Sequence, residues 1–229
     1  MGSLYIFGDS YSTPNFLVEP QLSWWGLLAK QLDMPVCNYS WPGNNIDSIQ
    51  HIIVSSKHTF NKDDVVVVGI PPVERFTVFK DGAPAKEVVN FDNNLVQTHT
   101  SEVTVHHGLE QLTMHTASKE TVDTYNRSWQ EAQILKDMIF LSTWLNTVVD
   151  KHIIVNLGVP FQPVTEWPTL KSLQEQALEN KKILVFSDTY YSVNKDVHKP
   201  VDYDTHGWFG HHGAEGNKLW YNSVLRKLL

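Results

Sequence analysis

The sequence predicts an α/β protein, a three-layer α/β/α sandwich with a central parallel sheet, formed as one domain over residues 1–229. Two observations carry that expectation. Short, almost continuously apolar runs recur along the chain, as they do in strands covered on both faces, and segments with helical spacing lie between them. No repeat, linker or low-complexity stretch divides the chain, so the alternation builds one parallel sheet rather than several small units.

Leu4-Tyr5-Ile6-Phe7 is the first such run, and Gly8 ends it in a turn. Residues 23–32 then place Trp24, Leu27, Leu28 and Leu32 at helical spacing, with Ser23 or Gln21 as start signals. Residues 35–39 form a second strand closed by Pro42-Gly43, and residues 46–56 a helix with Ile46, Ile49, Ile52 and Ile53 on one side. Val65-Val66-Val67-Val68-Gly69 is the strongest strand signal, because four consecutive β-branched residues suit a central parallel strand. About residues 77–125 break the rhythm and predict an insertion carrying a hairpin, with Thr77-Val78-Phe79 and Glu87-Val88-Val89 flanking a Lys-Asp-Gly-Ala-Pro turn. Residues 129–149 predict a long helix, 152–157 a buried strand, 183–186 a weaker strand and 214–229 a closing helix.

Composition excludes several function classes. Hydrophobic residues make up 41% and charged residues 19%, too apolar for a disordered chain. The longest apolar runs fall far short of the roughly 18 residues needed to span a bilayer, so no membrane partner is expected. Twenty-five acidic residues against 18 basic ones leave a net charge of −7 without a Lys/Arg run, which argues against nucleic acid. Cys37 is the only cysteine, so neither an intrachain disulfide nor a thiolate zinc site can form. The first ten residues enter a strand at once, without a basic region and cleavage site, which predicts cytoplasmic synthesis without a signal peptide.

Gly8-Asp9-Ser10 stands where the first strand ends, the place where open parallel sheets bind ligands. A serine there can present its hydroxyl to the crevice while its own N–H faces a developing oxyanion. The plain alternative is an Asp-Ser pair serving as a cap or turn. Gly-Asp-Ser at 8–10, Trp25 before a helix, Asn38-Tyr39-Ser40-Trp41-Pro42-Gly43-Asn44-Asn45, and His211-His212-Gly213-Ala214-Glu215-Gly216-Asn217 together resemble the SGNH (GDSL-type) hydrolases, particularly their divergent bacteriophage members. The resemblance implies a flavodoxin-like sheet, Ser10 as nucleophile, and Gly43 beside it as a backbone oxyanion donor. It also implies a base five residues before Gly216, which is His211, with His206 and His212 as the competing rings.

Two departures accompany it. The third block lacks its Asn, because Gly69 is followed by Ile70-Pro71-Pro72 and proline cannot donate a hydrogen bond. Pro71 is therefore expected where relatives present that Asn, leaving the Asn44 or Asn45 side chain to replace it. Trp208 stands three residues before His211, where the acid belongs, so the acceptor behind the imidazole comes from elsewhere: Asp204 first, then Asp202 or a backbone carbonyl. Arg75 follows the central strand closely enough to reach a substrate carboxylate or sugar hydroxyl, or to pair within its own loop. His206, His211 and His212 with Asp202 and Asp204 are metal-ligand types, but the glycine-rich segment has no ligand spacing, and no metal or cofactor is expected.

The resemblance thus implies a serine esterase removing a short acyl group, such as acetyl, from a carbohydrate or similar small ester. Eight tryptophans, four of them (Trp24, Trp25, Trp41 and Trp208) near the expected site loops, suit stacking on sugar rings or simply fill the core. The two departures support a different class, a non-catalytic SGNH-fold module of a virion or surface assembly. Oligomeric state has no signal in the sequence.

Overall fold

The computed structural model describes residues 2–13, 18–40, 44–55, 60–71, 75–79, 88–92, 95–98, 103–107, 127–158, 161, 168–184, 186, 189–194 and 213–228. Five strands, β1 (Leu4–Phe7), β2 (Val36–Asn38), β3 (Val65–Ile70), β8 (Lys151–Asn156) and β9 (Ile183–Leu184), form one sheet in the order β2-β1-β3-β8-β9. Every pair in it is parallel, with Leu4 opposite both Val36 and Val65, and Val65 opposite Lys151. All six residues of β3 are buried, which explains its unbroken Val-Val-Val-Val run: a central strand with helices on both faces has no polar side.

Alternate side chains feed two cores. Phe7, Val66, Val68, Ile70 and Ile154 pack against α2 (Ile46–Ser55), α3 (Arg127–Val148) and α4 (Pro168–Glu179). Leu4, Ile6, Val65, Val67, Ile153 and Val155 pack on the other face against α1 (Trp24–Leu32), α5 (Tyr190–Asn194) and α6 (Ala214–Ser223). Buried Asp64 ties the strand entrances together, accepting the backbone N–H of Ser3 and of Asn61 at 2.7 Å each. Ser23 caps α1 by accepting the Gly26 N–H at 3.1 Å, and Asp33 ends the helix in the left-handed conformation.

The insertion contains strands, but not the expected pairing. β4 (Arg75–Phe79) pairs antiparallel with β7 (Val103–His107), and β5 (Val88–Asp92) with β6 (Leu95–Thr98). The strands on either side of the Lys-Asp-Gly-Ala-Pro turn signal therefore pair with later strands and not with each other.

Two helices were not expected. α4 buries Gln174 and Ala177 rather than a row of large apolar side chains, so its periodicity is faint, and α5 has only five residues. The last helix stops at Ser223, and Val224 turns the chain into a short 3₁₀ segment (Leu225–Lys227) that buries Leu225. No helix among the described residues is long and apolar enough to cross a membrane.

Candidate active site

The carboxyl ends of β1, β2, β3 and β8 lie at the same end of the sheet, and the first turn beyond β1 is held by several hydrogen bonds. Asp9, fully buried, accepts the Tyr11 N–H on Oδ1 at 3.0 Å, while its carbonyl accepts the Ser12 N–H at 2.9 Å and the Thr13 hydroxyl at 3.0 Å. These bonds wrap the chain around Ser10, which is 5% exposed, and hold it at the head of the turn. Asp9 thus does carry out the turn chemistry of the plain alternative, and in doing so it fixes the serine.

Ser12 points back beneath the turn. A Cβ at Gly8 would come within 2.7 Å of its Oγ and 3.0 Å of its Cβ, and one at Gly69 within 3.3 Å of that Oγ and 2.5 Å of a Leu157 methyl. A side chain at Gly8 would therefore meet Ser12 first, and one at Gly69 would meet Leu157 first and Ser12 behind it. The second block closes on the first through two amides: Asn38 Nδ2 donates to the Ser12 carbonyl at 2.8 Å, and buried Asn44 Nδ2 donates to the Gly8 carbonyl at 3.0 Å. Asn38 Oδ1 also accepts the Ser40 N–H at 2.9 Å.

Of the residues singled out in the sequence, Ser10, Asn44 and Asn45 are therefore described and gathered at this end of the sheet. Asn44 already commits one amide hydrogen to Gly8. Asn45 is buried, and its carbonyl accepts the Ile49 N–H at 3.1 Å, which makes it the residue at the head of α2. Pro71, also buried, directly follows β3. Arg75 opens β4 opposite His107, and its side chain lies outside what is described. Gly43, Asp202, Asp204, His206, Trp208, His211 and His212 also lie outside the described residues, as does Trp41. Trp24 and Trp25 are core residues, 0% and 6% exposed, and not platforms for a sugar. Ser12 was missed in the sequence; the signal available was its place two residues after Ser10, on the same side of a tight turn.

A second serine makes a hydrogen bond to a histidine. Ser142 Oγ lies 2.9 Å from His152 Nε2, and the Asn180 amide donates to the same Oγ at 3.0 Å. His152 is 2% exposed, and burial, reinforced by the nearby positive charge of Lys182, lowers its pKa to about 4. The ring is neutral. His152 is opposite Val66, near the entrance of β8, about 13 Å from the carboxyl end of that strand at 3.3 Å per residue. This pair joins α3 and the 180 turn to the sheet, at the other end of the strands from Ser10.

No family model matches the chain, and no curated protein does. Among solved structures, phospholipase A1 from Streptomyces albidoflavus superposes with a TM-score of 0.50 at 11% identity, covering 100% of this chain and 99% of that one. LAE5, an alpha/beta hydrolase from the metagenome of Lake Arreo, gives a TM-score of 0.50 at 13% identity, covering 99% and 94%. The chain has the SGNH-hydrolase fold. A member of the lipolytic G-D-S-L family from Veillonella parvula also matches, at a TM-score of 0.48 and 10% identity, over 99% of this chain and 97% of that one. At such identities the likeness is one of fold. The SGNH-type sheet puts Gly8-Asp9-Ser10 at the carboxyl end of β1, beside the strand end that leads to Asn44.

Proposed function

We propose that this chain is a serine ester hydrolase with Ser10 as its nucleophile. The observation that carries the reading is the Ser10 turn itself: a serine held by Asp9 at the ligand-binding end of a parallel sheet, on a fold shared with a phospholipase A1 and an alpha/beta hydrolase. In the reaction Ser10 Oγ attacks the ester carbonyl and His211 accepts its proton, with Asp204 as the acceptor behind the imidazole. The carbonyl electron pair moves onto oxygen, where the N–H groups of Ser10 and Gly43 receive it. Collapse of the tetrahedral intermediate expels the alcohol, which takes the proton from His211. Water then attacks the acyl-enzyme by the same steps and returns Ser10.

Pro71 offers no N–H after β3, so this site works with one oxyanion donor fewer than its relatives unless the second amide hydrogen of Asn44, or the Asn45 amide, supplies it. Loss of one such donor slows acyl transfer about a hundredfold to a thousandfold without abolishing it. The substrate is a small ester, a short acyl group on a carbohydrate, with Arg75 contacting it. The chain acts as one domain, with residues 77–125 inserted, and needs no metal or cofactor.

A fluorophosphonate probe tests the reading directly. Ser10-dependent labelling, lost in Ser10→Ala, with turnover of p-nitrophenyl acetate is expected. Absence of both in folded protein would leave the alternative reading, a non-catalytic binding module on the same fold.

A further inference from the structure

Asn217 lies in α6, 4% exposed, and its amide joins three parts of the chain. Oδ1 accepts the backbone N–H of Trp24 at 3.0 Å, while Nδ2 donates to the Gly213 carbonyl at 3.1 Å and to the Tyr190 hydroxyl at 3.2 Å. The partners fix the amide's orientation. A backbone N–H only donates and a carbonyl only accepts, so the flipped amide would set donor against donor and acceptor against acceptor. The Trp24 N–H is one of the four at the start of α1 that the helix cannot satisfy internally, and Ser23 serves another, that of Gly26. Part of the cap of α1 therefore arrives from 193 residues away.

Further contacts run from these partners to the nucleophile turn. Trp24 Nε1 donates to the Tyr11 carbonyl at 3.0 Å, and the Tyr190 ring stands 5.3 Å from that of Tyr11. Trp220 meets Trp24 and Tyr190 edge-on, at 5.3 Å from each. Tyr11 is the residue after Ser10, and Gly213 comes two residues after His211. The Asn217 amide thus connects the neighbours of nucleophile and base in the sequence.

We propose that Asn217 is a positioning residue that holds the start of α6, the point where the chain arrives from His211, in register with the turn carrying Ser10. The inference rests on the Ser10–His211 reading above. A misplacement of about 1 Å between reacting groups can cost about a hundredfold in rate, and it does so in the chemical step rather than in substrate binding.

The test uses the full chain as wild type, Asn217→Ala and Tyr190→Phe. It measures fluorophosphonate labelling rate, kcat and KM for p-nitrophenyl acetate, and amide hydrogen exchange over residues 9–13 and 213–216. In Asn217→Ala, labelling and kcat fall by about tenfold to a hundredfold with KM within about twofold, and exchange rises in both segments together. Tyr190→Phe, which removes one hydroxyl, shows the same pattern at about threefold and carries the test if Asn217→Ala does not fold. Wild-type labelling per folded molecule in either folded variant, with only the unfolding midpoint lowered, overturns the proposal. If the wild type takes no label at Ser10, the hydrolase reading falls and exchange decides the register alone. Loosening of both segments then supports it, and loosening of 213–216 alone overturns it.

Discussion

Each end of the sheet buries a serine among polar groups, and the two stand in different settings. At the carboxyl end, Ser10 sits in a turn that Asp9 holds together, its carboxylate accepting the Tyr11 N–H and its carbonyl the Ser12 N–H and the Thr13 hydroxyl. At the amino end, Ser142 is the bond: its hydroxyl faces His152 on one side and the Asn180 amide on the other, and the cluster exists to satisfy it. The Ser142–His152 hydrogen bond thus stands near the start of β8, away from the strand ends where parallel sheets bind ligands.

Exchanging the two serines for alanine sharpens the contrast most. Ser10→Ala is expected to lower turnover at least about a thousandfold while leaving the unfolding midpoint near wild type. Ser142→Ala should do the reverse, retaining Ser10-dependent labelling and losing about 1–3 kcal/mol of stability, because His152 Nε2 and the Asn180 amide lose their partner. Equal labelling losses in the two would erase the distinction.

Acid separates the ends next. His152 is held neutral down to about pH 4 in the folded protein, whereas in the unfolded chain it takes up a proton near 6.5. Its folded pKa is lowered, so the unfolded state binds more protons between those values, and stability drops as pH falls from about 6.5 to 4. The total is up to about 3 kcal/mol, with no slope from this group above 6.5. Denaturant midpoints at pH 7, 5.5 and 4 should show the slope in wild type and a shallower one in His152→Gln. Identical slopes would mean that other groups govern acid unfolding.

Gly8→Ala tests the carboxyl end alone, through stability. The added methyl meets the Ser12 side chain, which has to turn aside, at a cost of about 1–3 kcal/mol. The double variant Gly8→Ala/Ser12→Gly should recover most of that loss in thermal unfolding, and failure to do so would place the strain elsewhere.

The fold was legible because its strongest signals are local. Val65–Val68 declares a strand covered on both faces, and Trp24, Leu28 and Ile49, Ile53 declare the helices that cover it. α4 escaped because Gln174 and Ala177 face the core where larger apolar residues would advertise a helix. The strand pairing within 75–107 escaped because a turn signal reports a bend, not which strands match across it. In the candidate site, Ser10 and Asn44 were legible from their blocks. Ser12, and the amide of Asn217 acting on Trp24, were not, because such links depend on two stretches of chain meeting in space, and no periodicity records that.

The bond from Trp24 to Asn217 also orders events in time. A ribosome adding about 5–20 residues per second needs roughly ten to forty seconds to cover the 193 positions between them. Throughout that interval the first helix can form and the first strands can pair, while the amide that completes the helix's opening has yet to be made. The newborn chain therefore carries the start of α1 without this partner until residue 217 has been added, and the contacts that run from Trp24 to the Ser10 turn are completed only then.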